Sequence, residues 1–238
     1  MASSAPDGPD AQVGVRRVRI TGVRRFIAER MRESLAEAAQ LSFHAEADVT
    51  GLLRRRAEWK MVGSPVGVED CVIAAFAKAL GGQPEINGTV EKDEIVLSDA
   101  VHLAIAIAAP DGLKTPVLRD AGGKTLEIIA AERRDMVARA QAKKLQVSEM
   151  KGGTATISNL GMTRVQHFTP ILNSGQMALL GVGCLTPRLA LGEGGAVIER
   201  QMLGLSLTVD HRVVDGEPAG RLLTRVCANI EAIGEAGD

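Results

Sequence analysis

The chain has 238 residues, 45% of them hydrophobic, and its 28 basic and 29 acidic side chains leave a formal charge of -1. That length buries one sizeable core or two small ones, and the charge balance offers neither a nucleic-acid footprint nor a polybasic membrane patch. With four Phe, one Trp and no Tyr, the core must be built from Val, Ile, Leu and Ala, which argues against a base-stacking surface.

Residues 1–14 are rich in Ala, Ser, Pro, Asp and Gly and read as a disordered leader to one catalytic domain over residues 15–238. Residues 15–20 alternate basic and apolar side chains, the pattern of a short edge strand. Thr21 is placed to cap a helix over 23–39, with Phe26, Ile27, Met31 and Leu35 at helical spacing. Residues 41–49 alternate as a strand, and Thr50 is placed to cap a helix to Lys60. Residues 68–80 predict a buried helix ended by Gly81-Gly82. One long or kinked strand is expected over 94–109, a hairpin turn at Pro110-Asp111-Gly112 and a returning strand over 113–119. Thr125 then caps a charged helix to about Lys144. A strand over 154–158, a loop over 159–169, a long hairpin over 176–209 and a helix over 217–233 complete the chain. Terminal helices with strand pairs between them predict an α+β fold, with a mixed sheet flanked by helices.

Cys71, Cys184 and Cys227 are odd in number, widely spaced and free of any CxxC pattern. A disulfide framework or zinc site is not expected, and a reducing cytoplasm fits. No apolar run reaches membrane-spanning length, and no dinucleotide or phosphate-loop motif occurs. Of the four histidines, His44 reads as an ordinary strand residue, His102 as a partly buried, satisfied one, and His167 carries no assigned role. His211 stands apart. It lies where the apolar strand over 203–209 stops, between Asp210 and Arg212, with Asp215-Gly216 ahead of the last helix. A strand-to-helix junction presents a side chain at the rim of a rigid core, where a base can meet substrate. Asp215 alone could be no more than a helix cap.

The segment DHRVVDG over 210–216 resembles the HxxxDG signature of the acyltransferase (E2) catalytic domains of 2-oxo acid dehydrogenase complexes, a pattern shared with chloramphenicol acetyltransferase. Three further segments resemble the family in the same order: VRRFIAERM from Val23, IAIAAPDGLKTP from Ile105, and GGTATISNLG from Gly152, continued by FTPILN from Phe168. The resemblance implies a chloramphenicol-acetyltransferase-like two-layer fold. It also implies transfer of an acyl group between a dihydrolipoyl thiol and coenzyme A, with no metal. His211 would be the general base, Ser158 the hydroxyl donor to the oxyanion, and Asp215 a supporting residue paired with a base such as Arg24 or Arg25. Thr156, on the same strand face as Ser158, is the lesser candidate for donor. The family's site lies between subunits of a homotrimer, which can assemble into a cubic or icosahedral core with 2-oxo acid decarboxylase and dihydrolipoamide dehydrogenase subunits.

The chain departs from the family pattern in several places. No lipoyl-type Asp-Lys-Ala site is present, so the lipoyl group would come in trans or from a missing domain. Ala39-Gln40 stand where the family often has Pro-His. Two other readings follow: a non-catalytic core of a multienzyme complex, and a stand-alone acyltransferase acting on an acyl carrier protein or a small-molecule acceptor. None of the three fixes the acyl group.

Overall fold

Residues 16–235 are described by a computed structural model; the leader expected over 1–14 lies outside the described residues. In chain order they form α1 (Gly22–Glu37), β1 (Gln40–Asp48), α2 (Thr50–Met61), α3 (Val68–Gly81), β2 (Gly88–Glu91), β3 (Glu94–Leu97), β4 (Leu103–Ile105), β5 (Ile107–Ala109), β6 (Gly112–Lys114), β7 (Val117–Leu118), α4 (Leu126–Gln141), β8 (Ala155–Asn159), β9 (Ala178–Leu191), β10 (Val197–Asp210) and α5 (Gly216–Glu235). Six strands make the main sheet in the order β1-β10-β9-β8-β4-β7, and β2–β3 and β5–β6 are separate ribbons. The sheet is mixed: β8 runs parallel to β9 and β4, and the other pairs are antiparallel.

Period-two alternation along β10 explains the layering. Leu203, Leu205, Leu207 and Val209 turn to one face and join the apolar cluster with α3 and α5. Ser206, Thr208 and Asp210 turn to the other face and are also buried. α3 is the most deeply buried helix, with Cys71, Val72, Ile73, Phe76 and Leu80 inaccessible to solvent. Its first turn is fixed by Asp70, whose carboxylate accepts from the Gly67 amide at 2.8 Å and from Arg133 of α4 at 2.5 and 3.2 Å. The expected α+β arrangement is therefore present, with helices on one face of a mixed sheet.

Several local expectations are corrected. Residues 16–20 are not a strand, because no neighbouring strand pairs with them in the described chain. Thr21 precedes α1 but makes no capping bond through its side chain. Phe26 and Leu35 remain exposed, so the helical spacing of α1 does not mark a face buried within this chain. Thr50 is the first residue of α2 instead of its cap; its hydroxyl accepts from the Gln201 amide at 2.8 Å, and Asp48 receives the Thr50 amide. Residues 94–109 are not one strand but β3, β4 and β5, in three different sheets. The returning segment splits into β6 and β7 on either side of Thr115-Pro116, since proline cannot donate to a ladder.

The polar face of the sheet carries a loop, residues 160–177, which leaves β8 immediately after Asn159. It lies on a floor of glycines. A Cβ at Gly183 or Gly204 would overlap the Gln166 carbonyl oxygen, and one at Gly181 would meet the Phe168 ring at 2.8 Å. The Cys184 amide donates to the Val165 carbonyl at 2.8 Å, fastening the loop along β9. Gly183→Ala should cost about 1–3 kcal/mol by overpacking. Gly220→Ala, in α5 with nothing within 4 Å of the new methyl, should be neutral or stabilising by about 0.5–1 kcal/mol. Chemical denaturation of the two variants checks the contrast.

Candidate active site

β10 delivers His211 one residue beyond its end. The strand's last residue, Asp210, is almost wholly buried, and its carboxylate makes an unusually full set of contacts. It accepts from the Ala39 amide at 3.2 Å and the Arg212 amide at 3.1 Å. It also accepts from the Arg212 guanidinium, with Nε at 3.0 Å and Nη2 at 2.5 Å. That pairing raises the Arg212 pKa above its usual value, chiefly through the Asp210 hydrogen bonds. The His211 amide donates to the Ala39 carbonyl at 2.8 Å, so the joint between α1 and β1 holds the turn on both sides. The amides of Val213 and Val214 return to the Asp210 carbonyl at 3.1 and 2.9 Å, closing a tight turn before α5.

Within this turn the His211 side chain is half-exposed, and its Nδ1 lies 3.1 Å from the Val214 carbonyl oxygen. A carbonyl only accepts, so Nδ1 carries the proton and Nε2 keeps its lone pair. This is the tautomer a general base needs. Asp215 is 89% exposed with an oxygen 3.9 Å from His211 Nδ1, too far for a hydrogen bond. The expected partners of Asp215 do not meet it: Arg25 pairs with Glu29 at 2.9 Å, and no contact joins Arg24 to Asp215 among the described residues. The basic residue of this segment is Arg212, and its carboxylate is Asp210, not Asp215. Both flank the histidine, and a buried aspartate at the end of an apolar strand with an arginine two residues on was the signal that could have found them.

Ser158 lies near the end of β8 on the polar face, half-buried, and its hydroxyl has no hydrogen-bond partner among the described residues. Thr156 is different. Its hydroxyl donates to Gln176 Oε1 at 2.5 Å and accepts from Asn173 Nδ2 at 2.7 Å, so it has no donor left to offer. Gln40 is equally committed: its amide bonds Ser34 and receives the Leu172 amide, tying α1 to the loop. The buried Cys71 and half-buried Cys227 are poor nucleophiles, because desolvation pushes Cys71 up to about 12 and Cys227 to about 11.

Strand register separates His211 from Ser158 within one chain. Ser158 pairs with Gly181, and Gly181 with Ser206. His211 is five residues beyond Ser206 and two strand spacings across, which puts the two Cα atoms on the order of 19 Å apart. No rotamer of either side chain spans that distance. A cleft of about 250 Å³ opens beside Arg212, between the end of α1, the β2–β3 turn and the loop, with Glu37, Lys92 and Asn173 at its rim.

The fold has a chloramphenicol acetyltransferase among its structural neighbours, with TM-score 0.55 over 85% of this chain and 94% of that one at 20% identity, a likeness of fold alone. At the level of family, the model described as 2-oxoacid dehydrogenases acyltransferase (catalytic domain) matches residues 12–236, and the chain belongs to that family. The chain is 34% identical over 231 residues to the dihydrolipoyllysine-residue acetyltransferase component of the acetoin cleaving system of Bacillus subtilis, covering 94% of this chain and 57% of the relative. It is 33% identical to a mitochondrial succinyltransferase component of the 2-oxoglutarate dehydrogenase complex of Arabidopsis thaliana, covering 89% of this chain and 46% of the relative. The chain thus spans about half the length of the curated relatives it matches. Among solved structures, dihydrolipoamide acetyltransferase of Azotobacter vinelandii superposes with TM-score 0.88 at 31% identity, covering 98% of each chain. In that enzyme a serine, a histidine and an asparagine four residues after the histidine are the residues investigated for a role in the catalytic mechanism. The spacing from His211 to Asp215 is the same, with aspartate in place of asparagine.

Asp210→Ala should leave the Ala39 and Arg212 amides without their acceptor and the His211 turn without its anchor, while the partly exposed Arg212 side chain turns to solvent, costing about 1–3 kcal/mol of stability. Thermal unfolding checks this. Asp215→Ala, at an exposed site, should shift stability by no more than about 0.5 kcal/mol.

Proposed function

We propose that the chain is the catalytic domain of a dihydrolipoamide acyltransferase, moving an acyl group between a dihydrolipoyl thiol and coenzyme A. The observation that carries this reading is the preparation of two separated groups. His211 is held as the tautomer with a free Nε2, and Ser158 holds an uncommitted hydroxyl about 19 Å away by strand geometry. Each is half of a site, and a second copy supplies the other half. A thiol of pKa about 8.5 is mostly protonated at neutral pH. His211 Nε2 takes its proton as the sulfur attacks the thioester carbonyl, then returns that proton to the departing thiol. Ser158 donates its hydroxyl to the oxygen that gains charge, and the acyl group passes directly between the two sulfurs. Asp215 follows the turn that holds the histidine, and its backbone carbonyl accepts the Ala219 amide at 3.2 Å as α5 begins.

Assembly as a homotrimer follows from the same reading. It is supported by apolar side chains left open on and before α1, namely Val18, Ile20, Val23, Phe26 and Leu35. The lipoyl group arrives on another domain or chain, and the partners are the decarboxylase and dihydrolipoamide dehydrogenase of a 2-oxo acid dehydrogenase complex. Three free cysteines agree with a reducing cytoplasm, and among the described residues no helix is long and apolar enough to cross a membrane.

The test is transfer from acetyl-, succinyl- and branched-chain acyl-CoA to dihydrolipoamide. At least one acyl group should be transferred. His211→Ala should lower kcat about 10²–10⁴-fold, and Ser158→Ala about 10²–10³-fold. Transfer that is absent with every acyl group, or indifferent to His211, contradicts the reading.

A further inference from the structure

His44 and His167 play no part in the proposed chemistry, yet they meet on the polar face of the sheet. His44 comes from β1 and His167 from the loop 160–177, with ring centroids 5.2 Å apart and planes tilted by 57°. His44 Nδ1 lies 2.9 Å from Ser206 Oγ, and the same hydroxyl oxygen accepts the Phe168 amide at 3.3 Å. Ser206 is buried, so its own proton needs an acceptor, and a neutral His44 Nδ1 is the acceptor within reach. The chain of donors runs from the Phe168 N–H to Ser206 and from the Ser206 O–H to His44. It pins the loop to β10 and β1 at the position where Ser206, Gly181 and Ser158 are aligned by register.

We propose that His44, Ser206 and His167 form a proton-sensitive latch that holds the loop leaving Ser158 against the sheet and releases it when His44 is protonated. A protonated Nδ1 must donate to Ser206, which then faces two donors and has nowhere to place its own hydrogen. Charge on His44 also falls against His167, whose Nδ1 is buried with no hydrogen-bond partner. The carboxylates that share the face of β1 are already paired, Glu46 with Arg188 of β9 and Asp48 with Arg200 of β10. On β10 the facing group is Ser206, and on the loop it is His167. Partial desolvation of the otherwise exposed ring, then the neighbouring His167, lowers the His44 pKa below its usual 6.5. The sign follows: the neutral, latched form is intact above pH 6.5, the detached loop gains as pH falls from 6.5 toward the lowered value, and the gain levels off below it. The consequence for catalysis, that acid loosens the segment next to Ser158, rests on the proposed role of Ser158.

Amide hydrogen exchange on the assembled, full-length protein between pH 5 and 8, corrected for the intrinsic pH dependence of exchange, tests the latch without using activity. Protection of the Phe168 amide should fall as pH drops below 6.5, by no more than about tenfold per pH unit, while amides of α3 hold steady. His44→Gln keeps an acceptor that does not titrate at these pH values and should flatten the dependence. Ser206→Ala should lower Phe168 protection at every pH. A pH-independent Phe168 amide in the native chain, or an unchanged slope in His44→Gln, overturns the proposal. Either result leaves the acyltransferase reading standing, and a failed transfer assay leaves the latch standing.

Discussion

The buried carboxylate of Asp210 is the constraint on which the rest of this site depends. An ionised group this deep is tolerable only when fully paired. Here the pairing draws in the Ala39 amide from the α1–β1 joint and both backbone and side chain of Arg212. Because His211 lies between Asp210 and Arg212, satisfying the carboxylate also fixes the histidine's backbone. The Val214 carbonyl then fixes the ring's tautomer. No hydrogen bond to the Asp215 carboxylate is needed for either effect. In the proposed mechanism the base is therefore held by its own turn together with the Ala39 backbone, before any substrate arrives.

The polar face of the sheet sets the second half. A sheet packed by helices on both faces would bury Ser158 and silence it. Here the far face is paved with Gly181, Gly183 and Gly204, and a loop takes the place of a helix layer. The loop's carboxamides satisfy Thr156 and stop short of Ser158. One hydroxyl on that face is thus left open while its strand neighbour is closed. The strands also run in the wrong register for this hydroxyl to meet His211 of the same chain, so under the proposed mechanism a second copy completes the site.

Much of this was legible in the sequence, and the exceptions have physical causes. The alternation of 203–209 gave β10 and the position of His211 because a strand with one apolar face has only one way to sit on a core. The long hairpin over 176–209 was legible because Gly192, Gly194 and Gly195 interrupt its two apolar runs, and Gly194 and Gly195 take the positive φ that a turn requires. Residues 94–109 misled because alternation continues across breaks where the chain passes from one sheet to another, and periodicity carries no information about partners. The α1 repeat misled in another way: Phe26 and Leu35 have core-like spacing but no core within this chain. Asp210 was overlooked because burial of a carboxylate depends on the distant Ala39 amide. The separation of Ser158 from His211 could not be read either, since it depends on which strands become neighbours. Their chemical roles came from resemblance in DHRVVDG and TISNLG, and the geometry supports those roles without depending on the resemblance.

The shared site is the central claim, and complementation between two inactive variants measures it most directly. Chains carrying His211→Ala and chains carrying Ser158→Ala are mixed in equal amounts, dissociated and reassembled, with mixing confirmed by mass. If each site takes its base from one copy and its hydroxyl from the next around a ring, about a quarter of the sites become whole, and activity should return to about that fraction of the native rate. Activity no higher than that of the separate variants, in assemblies shown to be mixed, would contradict the account.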